Sequence, residues 1–365
     1  MSYFHLNLIL KGKLTVCCLL MLSVIPLNAQ REAKQIGDFK ESISLNEHLR
    51  GTKRTLQYCP DGDEFVCVNG KNRYTRALYG SHSPFRVETS DRPVFAFYNN
   101  GRGGNISFKV ILRDGTELAL DRTGYCESRY SAGKRTYYLT DPSWGKGELR
   151  ISVLALADMD GAIWRFSPSN MPKGAILRWQ HGGATGKRLS RNGDMGVDPA
   201  DCFELPAEAT DLVTGELALQ KEVYLVRGEV PEGYNVRKLY QQAEAASLAL
   251  ASHLKIETPD PYLNTLGGAL VAAADGIWDG QVWLHGAIGW RMPLSGWRAG
   301  YTGDALGWHD RARTHFDAYA ASQVTDVPNT IPHPAQDSTM NLARSEKRWG
   351  TPQYSNGYIC RNPER

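Results

Sequence analysis

Gly147-Glu148-Leu149-Arg150-Ile151-Ser152-Val153-Leu154-Ala155-Leu156-Ala157 is the stretch on which the fold turns. Leu149, Ile151 and Val153 alternate with Arg150 and Ser152, the period of a β-strand. From Ile151 to Leu156 the run becomes almost continuously apolar, which marks a central strand. The Asp160-Gly161 pair just beyond it is hairpin-turn chemistry. The same grammar extends outward from Arg54 to about Arg227. Short alternating runs cover Arg73 to Tyr79, Asn105 to Leu112 and Lys134 to Thr140, and Asn69-Gly70 and Asp114-Gly115 supply further turns. Val94-Phe95-Ala96-Phe97-Tyr98 is a second candidate for a central strand. With amphipathic helix patterns absent from this region, the spacing predicts an antiparallel β-sandwich.

After Val230-Pro231-Glu232-Gly233 the period changes. Val236, Leu239, Tyr240, Ala243, Ala246, Leu250 and Leu254 recur at three- and four-residue steps, so they share one face of a helix. Asp260 suits the N-cap and Pro261 the first position of the next helix, which runs from Tyr262 to about Trp278. Its Gly267, Gly268, Ala269 and Ala272 to Ala274 permit close backbone approach. A third helix is expected from about Gly303 to Gln323, burying Ala305, His309 or Ala312, Phe316 and Tyr319. Residues 324–365 lack a sustained period and read as a long loop.

Composition narrows the function classes. The 365 residues are 42% hydrophobic and 22% charged with a net charge of +3. Such a balance excludes a disulfide knot, a disordered tail and a collagen-like repeat. The near-neutral charge gives no reason to expect nucleic acid as partner, since that requires clustered basic excess. Residues 1–29 carry Lys11 and Lys13, then the apolar run Leu14 to Ile25, then a small residue at Ala29. This is the pattern of a secretory signal peptide cleaved near Ala29, too short for a membrane span of about 30 Å. It predicts export to the periplasm or cell exterior. The expected organisation is a signal at 1–29, a linker at 30–50, the sandwich at 51–230 and an α-helical domain at 231–365. Beyond the signal lie Cys59, Cys67, Cys126, Cys202 and Cys360, an odd and scattered set that favours buried thiols over a disulfide framework. A Cys59–Cys67 bridge across a hairpin is the alternative.

Five of the nine Trp fall between residues 278 and 308. Indole faces stack on the C–H faces of sugar rings while Asp, His and Arg bond the hydroxyls, so this span suits a carbohydrate cleft. Trp278 and Trp308, at helix ends, are better read as core. Trp283, Trp290 and Trp297 sit on a Gly-punctuated connection and are read as ligand platforms, with His285, Arg291, Arg298 and Tyr301 as polar contacts. Asp275, Asp279, Asp304 and Asp310 are the carboxylates at hand. Asp279, beside Trp278 at a helix end, and Asp304, at an expected helix start, are the pair chosen as catalytic candidates, because glycoside hydrolysis uses one carboxyl as acid and one as base or nucleophile. Turn formation and helix capping are the structural alternatives for both.

The run Trp290-Arg291-Met292-Pro293-Leu294-Ser295-Gly296-Trp297-Arg298, followed by Gly303 to Arg313, resembles the first helical hairpin of the six-hairpin glycosidases. That resemblance implies an (α/α)6 toroid behind the sandwich. The chain after the signal also resembles the secreted family called domain of unknown function 4450, which implies export and a polysaccharide substrate but supplies no catalytic motif. Twelve helices of about 12 residues each exceed the space in residues 231–365. The helical domain is therefore expected to be incomplete, with its remaining hairpins beyond Arg365.

The function expected is an exported glycoside hydrolase, or a fragment of one, acting on an oligosaccharide or polysaccharide without cofactor. A non-catalytic glycan-binding protein is one alternative. A polysaccharide lyase using Tyr301 or His285 with Arg298 is another. No HExxH, EF-hand or CxxC pattern occurs to imply a metal, and Gly182 to Lys187 misses P-loop spacing.

Overall fold

The computed structural model describes residues 57–72, 75–83, 85–99, 102–182, 212–284 and 293–321. Fourteen strands precede four helices among them. The strands are β1 (Cys59–Asp61), β2 (Glu64–Val68), β3 (Arg76–Leu78), β4 (Arg86–Thr89), β5 (Phe95–Asn99), β6 (Arg102–Ile111) and β7 (Glu117–Ala119). They continue with β8 (Tyr125–Ser131), β9 (Lys134–Thr140), β10 (Glu148–Ala155), β11 (Gly161–Ser169), β12 (Ile176–Gly182), β13 (Val213–Ala218) and β14 (Val223–Gly228). One sheet has the order β1-β2-β8-β9-β10-β11-β14, the other β13-β12-β6-β5-β4-β3 with β7 beside β6. From β2 onward the pairings are antiparallel.

Between the sheets lies the main core. Leu149, Ile151 and Val153 of β10 point into it beside Tyr137 and Leu139 of β9 and Trp164 and Phe166 of β11. Phe95 of β5 meets them from the facing sheet, edge-on to Phe108, Tyr137 and Trp164 at ring-centroid separations of 5.9, 5.8 and 5.6 Å. Such T-shaped contacts add to the area-driven stabilisation of a core. The Asp114-Gly115 and Asp160-Gly161 turns join β6 to β7 and β10 to β11 as hairpins. Asn69-Gly70 does not: β2 pairs with β8, and at Asn69, with φ of 50°, the chain leaves for the opposite sheet. Cys59, Cys67 and Cys126 are thiols rather than half-cystines, and burial pushes the Cys126 thiol up to about 12.

The apolar run in β10 is continuous because both of its faces are covered. Leu154, with Leu156 just beyond the strand and Ile163 of β11, turns away from the sandwich interior and packs on Leu239, Tyr240 and Ala243 of α1 (Val236–Ala251). Arg165 lies 4.4 Å over the Tyr240 ring, Lys134 pairs with Glu244 at 3.1 Å, and the Ser247 hydroxyl donates to the Ala132 carbonyl at 2.5 Å. Strands and helices from Pro60 onward form one compact unit. No helix among the described residues is long and apolar enough to cross a membrane.

Helix α2 (Pro261–Gly276) begins as its sequence predicts, with the Asp260 carboxylate accepting from the Tyr262 amide at 2.8 Å and Pro261 in the first turn. A side chain at Gly268 would stand 3.1 Å from both Ala132 and Ala251, so the small residues let α2 approach the β8–β9 turn and α1 together. The expected third helix is instead two, α3 (Pro293–Ala305) and α4 (His309–Ala321). Two glycines of α3 are contact points: a Cβ at Gly300 would sit 2.3 Å from the Phe316 ring, and one at Gly303 2.0 Å from Trp283. Between these helices Gly307 takes φ of 77°. That left-handed conformation ends a helix at little cost only at glycine. Ala312, His315 and Phe316 are inward residues of α4, Ala305 and His309 are exposed, and the Tyr319 side chain lies outside the described residues.

Candidate functional site

A cavity of about 250 Å³ opens where the sandwich meets the helices. Ala77, Tyr79 and His82 line it from β3 and the loop after it, Ala132 and Gly133 from the β8–β9 turn, Ala246, Ser247 and Leu250 from α1, Asp275 from α2 and Arg311 from α4. Most of the wall is alanine, glycine and leucine. The charged groups are gathered at one place. Asp275 Oδ1 accepts from an Arg311 guanidinium nitrogen at 2.7 Å and faces His82 Nε2 at 3.1 Å. Burial opposes ionisation of Asp275, but the hydrogen bonds from His82 and Arg311 outweigh it and hold its carboxyl below the usual range.

Each member of this cluster is fixed by its surroundings. Arg311 lies 4.7 Å over the Trp308 ring and 5.8 Å from that of Trp278. This cation–π setting aims the guanidinium at Asp275. The His82 loop is clamped to the β10–β11 turn, where Ser81 and Ser83 both donate to Asp160 Oδ1. Gly80 rests against the Leu156 carbonyl, where a Cβ would come within 1.8 Å. The Tyr79 ring lies against Gly276, whose missing side chain makes room for it. Burial pushes the Tyr79 phenol far up, so it stays protonated.

The tryptophan constellation divides differently from the expectation. Trp283 is 1% exposed, stacks on Trp308 with 16° between planes, contacts Trp278 at 4.7 Å, and donates its indole N–H to the Ala274 carbonyl at 3.0 Å. Its backbone amide donates to His315 Nδ1 at 3.1 Å, and His315 is fully buried. Both faces of this indole are spent on protein, so Trp283 is core and not a sugar platform. Trp297 and Arg298 lie within α3, not on a connection. Tyr301 is 58% exposed on α3, its ring tilted against Phe316. His285, Trp290 and Arg291 fall outside the described residues.

Neither proposed catalytic carboxylate lines the cavity. Asp279 holds the turn after α2, its Oδ1 accepting from the amides of Gln281 and Val282 at 2.9 and 2.7 Å. Asp304 is in the last turn of α3, not at a helix start, and pairs with His309 Nδ1 at 2.5 Å on the surface. Asp304 therefore caps no helix start. Asp275 is the carboxylate that the fold brings into the cavity. In the sequence it is one of four Asp between residues 275 and 310, and nothing there pairs it with His82, which lies 193 residues away in the chain. Among the described residues no group of three or more His, Cys, Asp or Glu could hold a metal ion.

Residues 100–230 match the model of a family described as Domain of unknown function (DUF4450). The match spans β6 to β14 and so includes Tyr130, the β8–β9 turn and the end of β10 in the cavity wall. No curated protein matches the chain.

Proposed function

We propose that this chain is an exported carbohydrate-active protein that binds a sugar unit in the cavity beside Asp275. The observation that carries the reading is the Asp275–Arg311–His82 cluster set into a small apolar-walled cavity. Ionised Asp275 accepts hydroxyl hydrogens, Arg311 and Tyr79 donate, and the alanine wall and Tyr ring take the C–H faces, which is how small polar ligands with apolar faces are held. Export rests on the basic-then-apolar pattern of residues 1–29. The sandwich-then-helices order, with α1 packed on α2 and α3 on α4, supports the likeness of the helical part to the opening hairpins of a six-hairpin glycosidase.

Glycoside hydrolysis by two carboxylates is the second reading. It is favoured by one observation: Asp275 is ion-paired with Arg311 at 2.7 Å, which favours the ionised form a base or nucleophile needs. It requires a separate acid facing the cavity, a role that the turn-bound Asp279 and the surface-paired Asp304 do not fill. Migration of the full chain through gels containing plant or host polysaccharides tests binding, and reducing-end assays on the same glycans test hydrolysis. The expected outcome is retardation without release, lost in Arg311→Met. Unretarded migration on every polysaccharide refutes the binding reading. Reducing-end release abolished by Asp275→Asn decides for the hydrolase.

A further inference from the structure

The cavity also constrains which sugar it takes, an inference that rests on the binding reading above. We propose that it accepts a single uncharged sugar ring and rejects uronic acids. Charge sets the first limit. Among the described residues the lining carries one carboxylate, Asp275, and one guanidinium, Arg311, and the two balance each other's charge at 2.7 Å. His82 adds charge only when protonated, and it too faces Asp275. A uronate entering here meets the Asp275 anion at close range and has to share Arg311 with it. Like charges in a partly desolvated site repel strongly. A hydroxyl meets no such conflict: it donates to Asp275 and accepts from Arg311 with no change in the charge of the site.

Size sets the second limit. The space measures about 250 Å³. Pockets for drug-sized molecules begin at roughly 300 Å³, so this one holds a single ring and not a run of them. The wall sets the third. Ala77, Ala132, Ala246 and Ala272 leave the space open by being small, and none of their side chains supplies a donor to neutralise a second anion.

Calorimetric titration of the full chain with neutral methyl glycosides and the matching methyl uronides tests this. At least one neutral glycoside is expected to bind ten or more times tighter than its uronide, which is about 1.4 kcal/mol. Asp275→Asn is expected to weaken that binding about tenfold or more, as for a hydrogen bond to a charged group. Ala246→Trp, an exposed position on α1 at the cavity, fills the space without touching the charges and is expected to abolish binding in a protein of unchanged circular dichroism. A uronide that binds as well as or better than its neutral partner overturns the charge argument while leaving the binding reading intact. Undiminished affinity in Ala246→Trp moves the site elsewhere and overturns the inference. Absence of binding by either class overturns the binding reading itself.

Discussion

Gly303→Ala is the substitution that most directly tests how the helical region is built. Glycine inside a helix costs about 1 kcal/mol relative to alanine, so in a loop or on an open helix face the change would be neutral or stabilising. Here a Cβ would fall 2.0 Å from the Trp283 ring, far inside any real contact of that kind. Trp283 has nowhere to go, because its N–H is tied to the Ala274 carbonyl and its face is stacked on Trp308. Overpacking of this sort costs about 3 kcal/mol at the upper end of its usual range. Subtracting the propensity gain leaves a net loss of about 2 kcal/mol, or roughly 4–8 °C in Tm. Thermal unfolding followed by near-ultraviolet circular dichroism reads both the Tm and the tryptophan packing. A double-mutant cycle adds the mechanism: in a Trp283→Leu background the same substitution is expected to lose most of its cost, since the clashing ring is gone. A Tm that holds or rises in Gly303→Ala, or an equal penalty in both backgrounds, refutes the packing argument.

Two further perturbations probe the cavity and the seam. The Asp275 carboxyl is held below its ordinary value, so its contribution to stability is present above the unfolded value of about 4 and is lost as pH falls through the depressed folded value. The gap in urea midpoint between wild type and Asp275→Asn should therefore be wide at neutral pH and close in acid; a gap that does not vary with pH contradicts the ion cluster. Ile163→Ala removes a fully buried side chain from the seam between β11 and α1 and is expected to cost about 2–5 kcal/mol. Denaturation should show it, with hydrogen exchange quickening across α1 ahead of the sandwich core. A cost below about 1 kcal/mol would mean that the helix does not depend on that face.

The boundary between strands and helices was legible because it is written in period. Alternation up to Arg227, the Pro-Gly break at Val230 to Gly233 and the three- and four-residue steps of Val236 to Leu250 are local patterns, and local patterns decide element type. The Asp260-Pro261 helix start was legible for the same reason, since a cap needs only its own few residues. The Asn69-Gly70 pair shows the limit of local reading: the turn residues are real, but which strand lies next to β2 depends on β8, far along the chain.

Among the described residues, the sequence and the structure part company at 277–284 and 293–308, where contacts over distance override composition. Gly300 falls in a stretch read as a connection, yet it is helical, and glycine is required at 300 and 303 because Phe316 and Trp283 occupy the space a side chain would need. Trp283 has the composition of a sugar platform, yet Trp278 after α2, Trp308 between α3 and α4, and His315 of α4 cover it. By itself, then, the sequence determined the antiparallel sandwich, the switch to helices after Gly233 and the presence of carboxylates and aromatic rings near the end. Only the tertiary structure decided which of them meet, because His82, Asp275 and Arg311 share no period and no motif. They come together through the packing of α2 and α4 against the loop after β3, and that packing is a property of the whole core rather than of any stretch within it.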